Sequence, residues 1–254
     1  VAHFKTFANE MAQRFGLNNE SLVVDIGSND GILLRPYKEM GIKIMGVDPA
    51  ASIAVMATKN GIETMPAYFT SEVAKKIVQE KGPASLVTAT SVFPHINNLD
   101  EVVEGVKILL DDDGVFIIEA YYLVDLIGKN LFDTIYHEHL SYFTVKTISA
   151  LFDRLGMQVF DVSKTDTHGG SLRVFVQKRG GKHPVASGVA KFISEENEKK
   201  IHIIETFINF QEKISENKIK LLELLKELKI KEKRIVGYGA PAKGNTLLNY
   251  FNIG

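Results

Sequence analysis

Apolar residues at Phe4, Phe7, Ala8, Met11, Ala12 and Phe15 recur at three- and four-residue steps, which predicts an amphipathic helix over 1–15 that Gly16 ends. Beyond it the pattern changes. Short continuous apolar runs at 22–26, 42–47, 85–89 and 115–119, with a weaker one near 62–65, predict strands; amphipathic helices are expected between them at 32–40, 51–60, 71–81 and 99–110. Strands that are apolar throughout and alternate with helices indicate a parallel sheet covered on both faces. Two further strands, 158–163 and 171–177, flank the turn-rich stretch 165–170 and read as an antiparallel finish. The expectation is a doubly wound α/β domain over 1–180.

After Arg179 the texture shifts. Gly180, Gly181, Pro184 and Gly188 mark a linker, and 195–233 is strongly charged with apolar residues at Ile201, Ile204, Ile208, Leu221, Leu225 and Leu228. This predicts a long helix or helix pair with one buried stripe, a bracing or oligomerising element within 181–233. Its mixed acids and bases argue against a membrane or calmodulin-type role. The segment 234–238 reads as a short strand leading into Gly237, Gly239, Gly244 and a helix, so that 234–254 looks like the start of another unit.

Composition narrows the function classes. With 45% hydrophobic and 24% charged residues, 30 Lys+Arg and 31 Asp+Glu, the 254-residue chain has the balance of a soluble globular protein. A net charge of -1 argues against a broad basic surface for nucleic acid. No apolar run approaches the ~20 residues that cross a bilayer, and the helical start lacks a signal peptide's basic region and cleavage site; the cytosol is the expected compartment. The absence of cysteine excludes disulfides, thiolate metal sites and a cysteine nucleophile in this chain. The beginning at Val1 and the end at Gly254, just after a Gly-rich turn, suggest a piece of something longer.

The first strand ends in LVVDIGSNDG, which puts Asp25, Gly27, Ser28, Asn29 and Gly31 at a strand-to-helix turn where backbone amides can approach a ligand. A dinucleotide fingerprint anchored on Gly27 would need glycine at Asn29 and a small residue at Ile32, so the turn disfavours NAD. It resembles the loop of class I methyltransferases, in which the acid at the Asp25 position helps bind the ammonium group of S-adenosylmethionine; the commoner pattern has glycine where this chain has Asn29. Asp48 ends the second strand, where a carboxylate can accept both ribose hydroxyls of an adenosine or simply cap the next helix. Tyr68 and Phe69 could flank an adenine, although such aromatics are more often core.

Titratable groups gather further along. His95 follows the fourth strand at the carboxyl edge of the sheet. The stretch IYHEHLSYF places Tyr136, His137, Glu138 and His139 on one segment that is neither strand nor helix by pattern, and an imidazole there can move protons at neutral pH. A metal reading of H-E-H is disfavoured, because adjacent residues seldom converge on one ion. His168, Gly169 and Gly170 read first as a hairpin turn needing positive φ; Ser171 and Arg173 could instead face an anionic substrate group.

Five blocks, DIGSNDGILL, SVFPHI, YHEHLSYF, HGGSLR and GYGAPAKGNT, resemble in family order the S-adenosylmethionine-dependent sugar C-methyltransferases, which act on nucleotide-linked ketosugars. The resemblance covers nearly the whole chain. It implies a class I methyltransferase fold, S-adenosylmethionine as cofactor, and three parts: an N-terminal zinc module with four cysteines, missing here together with its zinc, a central methyltransferase domain, and a C-terminal Rossmann-like domain of which this chain holds only the beginning. By the same resemblance His139 matches the catalytic base, while Tyr136, Glu138 and His95 match the other polar residues of the active site. The turn 237–244 with Lys243 matches a Gly-rich loop that could meet the substrate's pyrophosphate. Two alternatives compete: an NAD-dependent nucleotide-sugar oxidoreductase or epimerase, and a non-catalytic cofactor-binding or scaffold domain that assembles through the 195–233 helix.

Overall fold

In the computed structural model, which describes residues 2–239 and 241–254 apart from the side chains of Ala2 and His168, seven strands form one sheet in the order β3-β2-β1-β4-β5-β7-β6. The strands are β1 (Leu22–Ile26), β2 (Lys43–Val47), β3 (Thr64–Met65), β4 (Ala84–Thr90), β5 (Leu110–Tyr121), β6 (Met157–Thr165) and β7 (Ser171–Lys178). The first five run parallel, and β7 lies antiparallel between β5 and β6. Strand order reverses between β1 and β4, and in open α/β sheets ligands bind outside the carboxyl ends of the strands at such a point.

Every residue of β1 is buried, as a parallel strand covered on both faces requires. One face packs helices α1 (Ala2–Phe15), α2 (Leu34–Glu39) and α3 (Ala51–Lys59) through Phe7, Tyr37 and Ala57. The other packs α4 (Ser71–Lys81) and α5 (Leu99–Leu109) through Ile77 and Val103. Two helices go beyond the expected elements: α6 (Leu123–Gly128) and α7 (Val145–Arg154). The second carries its own signal, a capping box in which Thr144 and Thr147 exchange side-chain and backbone hydrogen bonds.

The charged stretch forms a pair, α8 (Ser187–Glu198) and α9 (Ile204–Ile230). Glu196 of α8 is fully buried and accepts from the Val145 and Lys146 amides at 2.6 and 3.0 Å and from the Tyr122 hydroxyl at 3.2 Å. A carboxylate from one helix thereby satisfies the open amides at the start of another. The predicted stripe is corrected in part. Ile201 is buried and Leu221 packs half-buried against the core, but Ile204 and Ile208 are exposed, while Phe210 and Ile214, outside the predicted set, are buried. At about 100° per residue, Phe210 and Ile214 share a face with the half-buried Leu221, Leu225 and Leu228 of the predicted stripe, whereas Ile204 and Ile208 lie about a third of a turn away.

The predicted strand at 234–238 is also corrected: this stretch is irregular and exposed, Tyr238 fully so. An extended segment becomes a strand only when a neighbour pairs its amides and carbonyls, and no such neighbour lies beside it among the described residues. The following helix, α10 (Ala242–Phe251), does form, and it packs back on the 3-10 turn Phe132–Thr134. No helix among the described residues is long and apolar enough to cross a membrane.

Candidate active site

Strand β1 delivers Asp25 to the carboxyl edge, and the chain turns at Gly27, whose amide donates to the Val47 carbonyl at 2.8 Å. Gly27 and Gly31 have φ of +72° and +78°, and a Cβ would come within 2.8 Å of Val92 at the first and 2.5 Å of Ile62 at the second. Both glycines are therefore dictated by strain and space. Between them Asn29 holds a left-handed φ of 50°. Asparagine is among the few side chains that tolerate this region, which accounts for its standing where the commoner pattern has glycine.

Asp48 fixes the turn. One carboxylate oxygen accepts from the Asn29 amide and the other from the Ala50 amide, both at 2.9 Å. It serves the start of α3 and the glycine turn together, and each oxygen keeps a further lone-pair site. Asp25 is 2% exposed and accepts from the Thr88 hydroxyl at 2.6 Å. Burial pushes its carboxyl from an ordinary 3.8 to about 7, against the Thr88 hydrogen bond and with help from the Asp48 charge. A buried carboxyl with one donor is a place where a cation is welcome.

These groups line a cleft of 580 Å³ together with Phe4 and Ser91. Ser28 stands in its wall, but its hydroxyl is buried without a partner among the described residues. A second cleft of 430 Å³ shares Gly27, Pro49 and Val92 with the first and extends to Tyr68 and His95. Tyr68 is 78% exposed at its rim, whereas Phe69 is buried in the core.

His95 carries the second cleft to the histidine segment. Its ring lies 4.9 Å from that of His139, and the Pro94 carbonyl accepts from the Leu140 and Ser141 amides at 2.9 and 3.2 Å. His139 is buried, with the rings of Tyr136 and Tyr121 at 4.3 and 4.8 Å. Its Nδ1 lies 2.6 Å from the Thr134 carbonyl. A carbonyl only accepts, so Nδ1 carries a proton, and in the neutral ring Nε2 holds the lone pair.

Around this lone pair the environment favours neutral partners. Burial and the neighbouring His139 push His95 below the usual imidazole value, against the pull of Glu138. Burial pushes Tyr121, Tyr136 and Tyr142 above the usual phenol range, Tyr142 to about 12, so all three are hydrogen-bond donors at neutral pH. Glu138 is exposed on the turn, and its charge reaches both His95 and Tyr136. Tyr121, Tyr142, Thr88 and Thr134 were not candidates by sequence; only Tyr121, ending the last parallel strand, carried a positional signal.

The structure gives Ser171 and Arg173 other partners than an open cleft. The Ser171 hydroxyl donates to the Thr167 carbonyl at 3.1 Å, and Arg173 is held by the buried Glu119 at 2.6 Å and by Glu10 at 3.4 Å over the ring of Phe7. An arginine at this register faces Glu119 directly across β5 and β7, which fixes its charge inside. Gly169 and Gly170, at φ +87° and +136°, make the tight turn; the side chain of His168 lies outside the described residues. Lys243, in the first turn of α10, stands 5.6 Å from the Tyr121 ring centre. No cluster of three metal-ligating side chains occurs among the described residues.

This sheet order with a glycine turn at its switch point is that of class I methyltransferases. A methyltransferase-domain family model matches residues 3–162, and a model described as the C-methyltransferase C-terminal domain matches 166–254. The chain belongs to the methyltransferase-domain family. It is 38% identical over its whole length to C-methyltransferase NovU of Streptomyces niveus, of which it spans 60%. Solved structures share the fold at low identity. A SAM-dependent methyltransferase from Anabaena variabilis is 17% identical with a TM-score of 0.53, over 66% of this chain and 82% of that one. A Burkholderia thailandensis 1,6-didemethyltoxoflavin-N1-methyltransferase, solved with S-adenosylhomocysteine, is 16% identical with a TM-score of 0.52, over 69% and 78%.

Proposed function

We propose that this chain is the catalytic part of an S-adenosylmethionine-dependent C-methyltransferase acting on a nucleotide-linked ketosugar. The observation that carries this reading is the buried His139 imidazole with its Nδ1 committed to Thr134, beside a cleft continuous with the glycine turn. Carbon becomes a nucleophile only after losing a proton, and such an imidazole is a base placed to take one.

The turn fits the cofactor. Asp25 suits the ammonium group, Asp48 the ribose hydroxyls, and the amides of 27–31 the amino-acid carboxylate. When bound, S-adenosylmethionine supplies an electrophilic methyl on a sulfonium centre, which becomes a neutral sulfide as the methyl leaves. His139 Nε2 takes a proton from the carbon beside the keto group; the freed electron pair delocalises onto the carbonyl oxygen and then forms the new carbon–carbon bond. Tyr136 and neutral His95 donate hydrogen bonds to the developing oxyanion. Glu138, exposed at the rim, suits a sugar hydroxyl, and Lys243 suits the diphosphate. NovU, a C-methyltransferase by name, supports the reaction type.

The test is solvent-deuterium exchange into a nucleotide-linked 4-ketosugar in the presence of S-adenosylhomocysteine, followed by methyl transfer with the intact cofactor. The wild-type chain is expected to do both, and His139→Asn to lose both while still being stabilised thermally by S-adenosylhomocysteine. Normal turnover by His139→Asn would remove the base assignment, and stabilisation by NAD alone would remove the methyltransferase reading.

A further inference from the structure

The C-terminal helix touches both supports of the His139 imidazole. At one end of α10, Phe251 is 2% exposed and stacks on Phe132 with ring centres 5.1 Å apart and planes at 18°. Tyr250 meets the same ring at 5.8 Å, and the Lys218 ammonium of α9 donates to the Tyr250 carbonyl at 3.0 Å, holding the end of α10 in place. Phe132 opens the 3-10 turn that Thr134 closes. The Thr134 amide and hydroxyl both donate to the Leu131 carbonyl, at 3.2 and 2.7 Å. The Thr134 carbonyl is left for His139 Nδ1 at 2.6 Å and the Tyr142 hydroxyl at 3.3 Å.

At the other end of α10, Lys243 lies 5.6 Å from the ring of Tyr121, which in turn lies 4.8 Å from that of His139. Packing alone would account for one of these contacts. Their convergence on the same imidazole, from the two ends of one short helix, is what a support would show. The turn is rigid enough to transmit the effect, because Thr134 is bonded at its amide, hydroxyl and carbonyl. Moving Phe132 therefore moves the carbonyl that selects the tautomer.

We infer that α10 is a positioning element for His139, with Phe251 as its positioning residue, acting through Phe132 on the Thr134 carbonyl. The inference deepens the proposed function, in which His139 Nε2 is the base. Without the carbonyl the proton distributes over both nitrogens, and the nitrogen facing the substrate is a base only part of the time.

Long-range proton–nitrogen spectra of the full chain with labelled histidine, at a pH where imidazole is neutral, report the tautomer directly; the His139 signals are identified by their loss in His139→Gln. The wild type is expected to carry the proton on Nδ1. In Phe251→Ala the preference for Nδ1 should fall by about tenfold, the usual worth of one hydrogen bond. Phe251→Leu, which keeps the apolar bulk, should restore most of it. Stabilisation by S-adenosylhomocysteine should be the same in all three, since the glycine turn is untouched. Should Phe251→Ala fail to fold, Phe251→Val gives the same reading with less lost volume. A folded Ala or Val variant whose His139 remains fully protonated on Nδ1 overturns the inference. A wild-type chain with this tautomer but no proton exchange from any ketosugar would sink the base assignment while leaving the positioning effect measurable.

Discussion

Replacing Asp25 with asparagine tests the electrostatics of the glycine turn and its proposed role in cofactor binding. In the folded chain this carboxyl is pushed up to about 7 by burial, while in the unfolded chain it returns to 3.8. Between those values the native state holds a proton that the unfolded state has lost, so stability falls as pH rises from about 4 to about 7 and then levels off. The sign is opposite to that of a salt-bridged carboxylate. At ~1.4 kcal/mol per tenfold in the proton equilibrium, the gap from 3.8 to about 7 costs the ligand-free protein about 4 kcal/mol near pH 8. The asparagine side chain would be neutral throughout, and its amide oxygen can still accept from Thr88. Thermal unfolding should therefore show Asp25→Asn more stable than wild type above about pH 7, by roughly 10 °C for a chain of this size, with the difference vanishing near pH 4. The ligand reverses the order. An ammonium group beside Asp25 favours the ionised form, so S-adenosylhomocysteine binding should release a proton below pH 7, visible as a buffer-dependent heat, and should be weaker in Asp25→Asn. Parallel pH profiles for the two proteins, or equal affinity for S-adenosylhomocysteine, would refute the reasoning.

Two further outcomes follow from the geometry. Asn29→Gly should leave S-adenosylhomocysteine binding and stability within about 1 kcal/mol of wild type in titration and melting experiments, because glycine adopts the φ of 50° freely, while Asn29→Val should lose both. Glu196→Ala removes the acceptor for two amides and a hydroxyl at a fully buried position. It should cost about 3 kcal/mol in urea denaturation, and Glu196→Gln less, since one amide oxygen can still accept.

The pattern of apolar residues determined the parallel sheet and most of its helices, because a strand buried on both faces must be apolar throughout and a helix packed on it must be apolar on one side. The glycine turn was equally legible in Asp25, Gly27, Gly31 and Asp48, since strained or close-packed backbone admits few residue types, and even Asn29 obeys that restriction. What spacing left open was decided by contacts distant in the chain. Arg173 is occupied because β5 and β7 pair it with Glu119, the expected strand at 234–238 does not form because no neighbour among the described residues pairs with it, and the face of α9 depends on where the domain's core lies. The imidazole itself was visible as a member of a titratable cluster. Which of its nitrogens is free was not, because that depends on a carbonyl five residues earlier held in place by a turn, and on a helix from the far end of the chain stacked against that turn.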